Sequence, residues 1–354
     1  MYFESVSRRQ WGLQAVALLS GAAVAAGAQE SLGQTGSTRH ANELVRIAVG
    51  GQGSLYYLPL TAAERLGYFR DEGLSVVIDD YAGGPLALDA VRQGRADIGC
   101  GAYESLLEQQ ALGFSATSVV LMGRTPQMAL AASARLWPRK ASSSYRDLRI
   151  GVSTIGASTQ MFARLWLMQA GIAQDSVRFV AVGNGDEAMT ALRQGRVHAL
   201  SHVDPLITLL EQKNQVRILA DTRSLKGSGD FFGGPMPGAC VYVPQAFAQR
   251  HAGKVQRAVN AVVHALKWMQ TAGPADLARI IPMQYWLNDR AAYLAAFDKV
   301  RETLSPDGLM PGEGPATALR ALARLRESQI APRVDLSQTY SNEWVRRAIL
   351  KHQL

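Results

Sequence analysis

The sequence predicts an α/β fold of two lobes built on one plan, with a cleft between them. Three observations lead there. The chain nearly repeats itself: Ala87-Leu88-Asp89-Ala90-Val91-Arg92-Gln93-Gly94-Arg95 returns as Ala188-Met189-Thr190-Ala191-Leu192-Arg193-Gln194-Gly195-Arg196, with six of nine positions identical. The flanks of the two copies agree as well. An apolar run precedes each (74–78 and 177–182), glycines follow it (Gly83-Gly84, then Gly183 and Gly185), and residues 45–49 resemble 148–152. Finally, strand-like apolar runs alternate with helical patterns, which implies βαβ units and mainly parallel sheets. A period near one hundred residues is domain-sized and too long for a solenoid repeat. Two lobes around a cleft suit a protein that closes on a small molecule.

The N-terminus reads as an export signal over residues 1–28. Arg8-Arg9 precedes an apolar stretch that ends in Ala26-Gly27-Ala28, the small-x-small pattern cut by a signal peptidase. Ser7-Arg8-Arg9-Gln10-Trp11 hints at the twin-arginine route, but Trp11-Gly12 departs from it, so Sec export stands equally. No cysteine lies near the cut, which argues against a lipoprotein. Residues 29–43 are polar and read as a flexible leader.

Lobe one is expected over 44–125 plus 236–354, and lobe two over 126–235. Strands are read at 44–49, 74–79, 97–99 and 117–122, with helices at 58–68, 85–93 and 103–112. Pro59 is tolerated in a first helical turn. Lobe two follows the same order, with strands at 149–152, 177–182, 197–200 and 216–219 and helices at 160–170, 186–194 and 205–213. Residues 128–132 and 239–243 add one strand each. The glycine- and proline-rich run 227–238 reads as a loop or hinge. Everything after Gln245 looks helical and has no counterpart in the repeat. This tail is expected on lobe one, to which the chain returns after lobe two closes.

The 354 residues allow two cores, and 47% hydrophobic with 19% charged residues is ordinary globular composition. The formal charge of +8 fits an arginine-rich solvated surface. No basic block with interleaved aromatics appears, which argues against nucleic acid as a partner. Cys100 and Cys240 read as buried free thiols. No histidine pair has metal-ligand spacing, and GxSxG, CxxC and GxxxxGK[ST] are all missing, so no cofactor, metal or catalytic residue is expected.

What remains is a set of helix starts. First-turn N–H groups lack internal partners and carry the positive end of the helix dipole, so two such ends across a cleft can hold an anion without lysine. Ser158-Thr159 can add hydroxyl donors in lobe two, and Gly51-Gln52-Gly53-Ser54 in lobe one. Gly83-Gly84-Pro85 and Gly183-Asn184-Gly185 stand at strand C-termini, where open α/β sheets bind ligands. Tyr103 and His202 follow the third strand of each lobe and could hydrogen-bond a ligand. Asp204 before Pro205 reads as a helix N-cap. His198 stands where Asp97 stands in lobe one and reads as structural.

Several runs carry a family likeness. Tyr56-Tyr57-Leu58-Pro59-Leu60, Ala63-Glu64-Arg65-Leu66-Gly67-Tyr68-Phe69 and Ala96-Asp97-Ile98-Gly99 resemble the nitrate/taurine/sulfonate-type (NMT1/SsuA-like) solute-binding proteins of ABC importers. So do Gly156-Ala157-Ser158-Thr159, Gly233-Gly234-Pro235-Met236-Pro237 and Asp335-Leu336-Ser337-Gln338-Thr339-Tyr340. The resemblance implies a type II periplasmic-binding fold crossed twice by the chain. It also implies a periplasmic monomer that captures a small solute by domain closure and delivers it to an ABC permease and ATPase. By position, it implies ligand contacts from Gln52, Ser54, Tyr56, Gly83, Gly84, Tyr103, Thr125, Ser158, Thr159, Asn184 and His202. The implied solutes are sulfonates, nitrate or carboxylates. The alternative is a pyrimidine-precursor-binding protein or a related-fold enzyme of thiamine metabolism.

Overall fold

The computed structural model describes residues 43–137, 147–325 and 333–353. The segments read as export signal (1–28) and as leader up to residue 42 lie outside these residues, while Glu43, expected as the end of the leader (29–43), already belongs to the first strand. The chain enters β1 (Glu43–Gly50), makes a 3-10 turn at Leu55–Tyr57 and continues through α1 (Leu58–Arg65) and α2 (Tyr68–Asp71). β2 (Leu74–Tyr81), α3 (Gly84–Arg92), β3 (Ile98–Ala102), α4 (Tyr103–Ala111) and β4 (Ala116–Leu121) follow. The chain then crosses to β5 (Met128–Ser133), β6 (Leu148–Val152), α5 (Ser158–Gln169), β7 (Val177–Ala181) and α6 (Asp186–Arg193). It completes that lobe with β8 (Ala199–Val203), α7 (Leu206–Gln212), β9 (Val216–Asp221) and α8 (Leu225–Phe232). β10 (Ala239–Pro244) returns it to the first sheet.

The two sheets share one topology. Their orders are β2-β1-β3-β10-β4 and β7-β6-β8-β5-β9. The first three strands of each order are parallel, and β10 and β5 run antiparallel to both of their neighbours. The sheets are therefore mixed. The antiparallel strand in each is the one that has just crossed from the other lobe, so it enters from the opposite end.

The repeat seen in the sequence is a repeat of local physics. Gly94 and Gly195 both take left-handed backbone, with φ of 72° and 73°. Each ends a helix, and each is followed by an amide that turns back to an alanine carbonyl: Arg95 to Ala90 at 2.8 Å and Arg196 to Ala191 at 2.9 Å. The Arg46 amide donates to Asp97 at 2.9 Å, and the Arg149 amide donates to Nδ1 of His198 at 3.0 Å. A ring nitrogen thus does in lobe two what a carboxylate does in lobe one, which gives His198 its structural role.

One expected loop is a helix. Residues 225–232 form α8 despite Gly227 and Gly229. The Ser224 hydroxyl accepts from the Gly227 amide at 3.0 Å and caps the helix. A Cβ at Gly227 would lie 2.4 Å from the Asp221 carbonyl oxygen, so the glycine permits this close start and does not signal disorder. Phe231 and Phe232 then pack on Phe162. Residues 233–238 are the extended part of the crossing.

Gly99 is a second close approach. A Cβ there would fall 2.1 Å from Cζ of Tyr242, whose ring crosses β3 from β10. Gly99→Ala is expected to displace the buried ring and cost about 1–3 kcal/mol, read from the urea midpoint. Cys240 shares the Tyr242 face, while Cys100 pairs with Val241 and faces the other way. Both thiols are free and buried, and burial pushes them upward.

The tail comprises α9 (Gln245–Arg250), α10 (Ala252–Thr271), α11 (Pro274–Ile280), α12 (Arg290–Val300), α13 (Gly314–Arg324) and α14 (Glu343–His352). α10 and α14 pack together on the first lobe, as expected. α12 reaches further and lies against α7 of the second lobe. Ala292 is buried in that lobe's own core, and Lys299 pairs with Glu211 at 3.0 Å. No helix among the described residues is long and apolar enough to cross a membrane.

Candidate functional site

A cavity of about 60 Å3 lies between the lobes, past the C-terminal ends of the central parallel strands. It has room for a few waters or the polar end of a small solute. Gly50, Ser54, Tyr56 and Tyr57 line it from the first turn of lobe one. Gly84, Pro85 and Leu88 enter from α3, Ser105 and Leu106 from α4, and Tyr242 from β10. Lobe two supplies Met128, Ser153, Ala157, Ser158, Thr159, Asn184 and Val203. The polar lining consists of hydroxyls and one amide, and no lining residue is charged.

Six of the expected contacts meet at this cavity: Ser54, Tyr56, Gly84, Ser158, Thr159 and Asn184. Ser158 and Thr159 open α5, where first-turn amides lack intrahelical acceptors. The Thr159 hydroxyl is already engaged, accepting from the Ser153 amide at 3.1 Å and sharing a 3.0 Å bond with its hydroxyl. Ser54 donates to the Gly51 carbonyl at 2.9 Å. The turn before it is held by Asp80, which accepts from the amides of Gly51 and Gln52 at 2.7 and 3.0 Å.

Other expected contacts sit elsewhere. Gln52 turns its amide to Glu64 at 3.0 Å. Tyr103 points into the tail, where its hydroxyl meets that of Thr339 at 2.5 Å. Thr125 is buried in the first crossing, within 3.3 Å of the Gln127 amide. His202 lies behind the wall, with Nε2 2.9 Å from the Gly183 carbonyl. Burial holds its ring below the ordinary value, so it is neutral and Nε2 donates. Gly83 packs against Thr154 of the other lobe, where a Cβ would lie 2.4 Å from its hydroxyl.

The lobes touch through main chain as well as side chains. The Leu55 amide donates to the Asp204 carbonyl at 2.9 Å, and Asn184 Nδ2 donates to the Ala82 carbonyl at 3.1 Å. These contacts describe a closed cleft. Asp204 is itself fixed from behind: its carboxylate accepts from the Thr208 amide at 2.8 Å, which caps α7, and lies 3.3 Å from Arg223.

The residue that the sequence hid is Glu104. It neighbours Tyr103 in sequence, yet one step along a helix rotates the side chain by about 100°. Tyr103 therefore faces the tail while Glu104 lies near Ser158. Glu104 is 3% exposed. Burial pushes its carboxyl up to about 7, with the Ser158 hydroxyl and the residue's own backbone amide opposing the shift. Neither carboxylate oxygen makes a well-formed hydrogen bond within the protein.

The family described as NMT1/THI5-like matches residues 54–274. A solved protein of Bordetella bronchiseptica RB50 is 42% identical, with a TM-score of 0.85 over 89% of this chain and 99% of that one. The chain belongs to the NMT1/THI5-like family. Among more distant structures, the alkanesulfonate-binding protein SsuA of Xanthomonas axonopodis pv. citri, solved with MOPS, shares the fold at 16% identity. Its TM-score is 0.64 over 84% of this chain and 98% of that one. The desulfurization enzyme DSZB also shares it, at 15% identity and a TM-score of 0.60 over 88% and 99%. This NMT1/THI5-like fold is therefore the two-lobed periplasmic-binding architecture, and it carries both binding proteins and an enzyme. No curated protein matches the chain by sequence. Among the described residues, no group of three or more His, Cys, Asp or Glu is placed to hold a metal.

Proposed function

We propose that this chain is the solute-capturing component of an ABC importer, exported to the periplasm and working as a monomer beside a permease and an ATPase. The lobes, 44–125 with 236–354 and 126–235, close over a small solute carrying an anionic group, such as a sulfonate or carboxylate. The observation that carries this is the cavity itself: small, lined by uncharged hydroxyl and amide groups from both lobes, and placed at the strand ends. The first-turn amides of α5 and the Ser158 hydroxyl supply the donors for the anion. Only a solute that touches both lobes prefers the closed form and so drives closure. The distant alkanesulfonate-binding protein supports the solute class by analogy of fold alone.

The test is a thermal-shift panel of sulfonates, carboxylates, oxyanions and pyrimidines. A ligand at one hundred times its Kd adds about 2.7 kcal/mol of stability. Ser158→Ala is expected to weaken the best ligand about tenfold or more by calorimetry, the loss of one hydrogen bond to a charged group. Its melting temperature should change little at pH 6, where Glu104 holds its proton and does not need the Ser158 hydroxyl, because Thr159 and not Ser158 makes the bonds that hold the turn. Equal affinity in the two proteins would move the anion away from α5. Turnover of a panel compound by the purified protein would favour an enzyme.

A further inference from the structure

We propose that Glu104, standing directly behind the cavity wall at Tyr56 and Ser158, recognises an N–H group together with Tyr56, so that the captured solute is a short molecule carrying an amine as well as an anionic group. This rests on the cleft being the binding site and narrows what it binds. Glu104 is 3% exposed and Tyr56 is 4% exposed. Neither carboxylate oxygen nor the Tyr56 hydroxyl makes a well-formed hydrogen bond within the protein, although the Ser158 hydroxyl stands close to the carboxylate. A buried carboxylate without a partner is costly to keep. Ser158 and Tyr56, which flank Glu104, both line the cavity.

The missing complement must donate. An ionised carboxylate only accepts hydrogen bonds, and neither of its oxygens has a well-formed donor here. A plain oxyanion would bring further acceptors and a like charge to the same spot. An ammonium brings donors and the opposite charge. Ser158 stands between the two requirements, at the start of α5 on one side and against Glu104 on the other. An anionic group at the α5 amides and an amine at Glu104 are thus within the span of a few atoms, as the cavity of about 60 Å3 demands.

The charges around Glu104 leave it in control. Tyr56 and Tyr57 face it from the 3-10 turn and Cys240 from β10, and burial pushes all three upward, so they stay neutral near pH 7. On its own helix Glu108 adds like charge, and burial raises that carboxyl too. α5 presents the Ser158 hydroxyl. α13, which also packs on α4, carries Arg320 and Arg324, and neither pairs with Glu104. An amine needs the ionised carboxylate. With the carboxyl near 7, amine affinity rises about tenfold from pH 6 to pH 8, whereas a plain oxyanion binds better at the lower pH.

The probes are two matched pairs, taurine with ethanesulfonate and β-alanine with propionate, titrated calorimetrically into the full chain at pH 6 and pH 8. The amino member of at least one pair is expected to bind at least tenfold more tightly at pH 8. Glu104→Gln should bring the two members of that pair to similar affinity and remove the pH slope, and Tyr56→Phe should weaken the amino member several-fold. Equal binding within each pair in the unmodified protein, or a preference that survives Glu104→Gln, overturns the proposal and leaves solute capture standing. Any other solute found in the wider panel counts for it when it carries N–H and weakens in Glu104→Gln, and against it otherwise. Failure of every compound to bind removes solute capture and this inference together.

Discussion

Arg223→Ala is expected to destabilise the protein by about 3–5 kcal/mol, measured as a shift in the urea unfolding curve. The Arg223 side chain is fully buried, and its guanidinium lies 2.8 Å from Glu211, 2.7 Å from Asp221 and 3.3 Å from Asp204. Burial works against its charge, but the carboxylates outweigh burial and hold it above the ordinary arginine value. Asp204 is also buried, and burial raises its carboxyl even with Arg223 alongside. Removing the guanidinium leaves that buried carboxylate with Thr208 and only the weaker field of Lys299 to offset its charge. The damage should reach the cleft, because the Asp204 carbonyl accepts the Leu55 amide from the other lobe. Pairing Arg223→Met with Asp204→Asn takes away both charges and should recover part of the loss. A single-variant effect below about 1 kcal/mol would show that the network contributes little.

Glu104→Gln should raise the stability of the ligand-free protein at pH 8, by up to about 3 kcal/mol, and leave it nearly unchanged below pH 4.5. The carboxyl sits at about 7 in the folded state against 4.5 ordinarily, with burial as the main cause. At about 1.4 kcal/mol per tenfold, that gap gives the expected size. The sign follows from proton counting. Between pH 4.5 and 7 the folded state holds a proton that the unfolded state has released, so stability falls as pH rises through this window. Above 7 the whole cost is present, and a neutral side chain of the same shape removes it. Urea curves across pH 4–8 for the two proteins should converge at the acid end and part at the alkaline end. Parallel curves would mean that Glu104 meets a partner that the folded chain supplies. Together with the weaker amine binding expected of the same variant, this would mark Glu104 as a residue kept for its ligand at a cost to the fold.

Much of the architecture was legible in the residues themselves. Periodicity fixes whether a segment is strand or helix, and two copies of one pattern imply two copies of one unit. That is why Arg92-Gln93-Gly94-Arg95 and Arg193-Gln194-Gly195-Arg196 read as matching helix ends from the sequence alone. The run 225–232 was not legible, because its glycines answer to a carbonyl at Asp221 and a cap at Ser224. Site residues divided in the same way. Ser158 and Ser54 stand at helix starts, which sequence marks. Gln52, Tyr103 and His202 have the right chemistry and neighbourhood, but their side chains are turned to Glu64, Thr339 and Gly183.

The sequence alone determined the paired βαβ plan, the helix starts that border the cleft and the family. These depend on contacts between residues close along the chain, or on patterns that any copy of the fold must keep. Tertiary structure alone decided which face of each helix start meets the cavity, where α12 rests, and that a carboxylate at position 104 stands unpartnered beside Ser158. Those facts depend on residues brought together from both lobes and the tail, and a side chain's direction there is set by what packs against it.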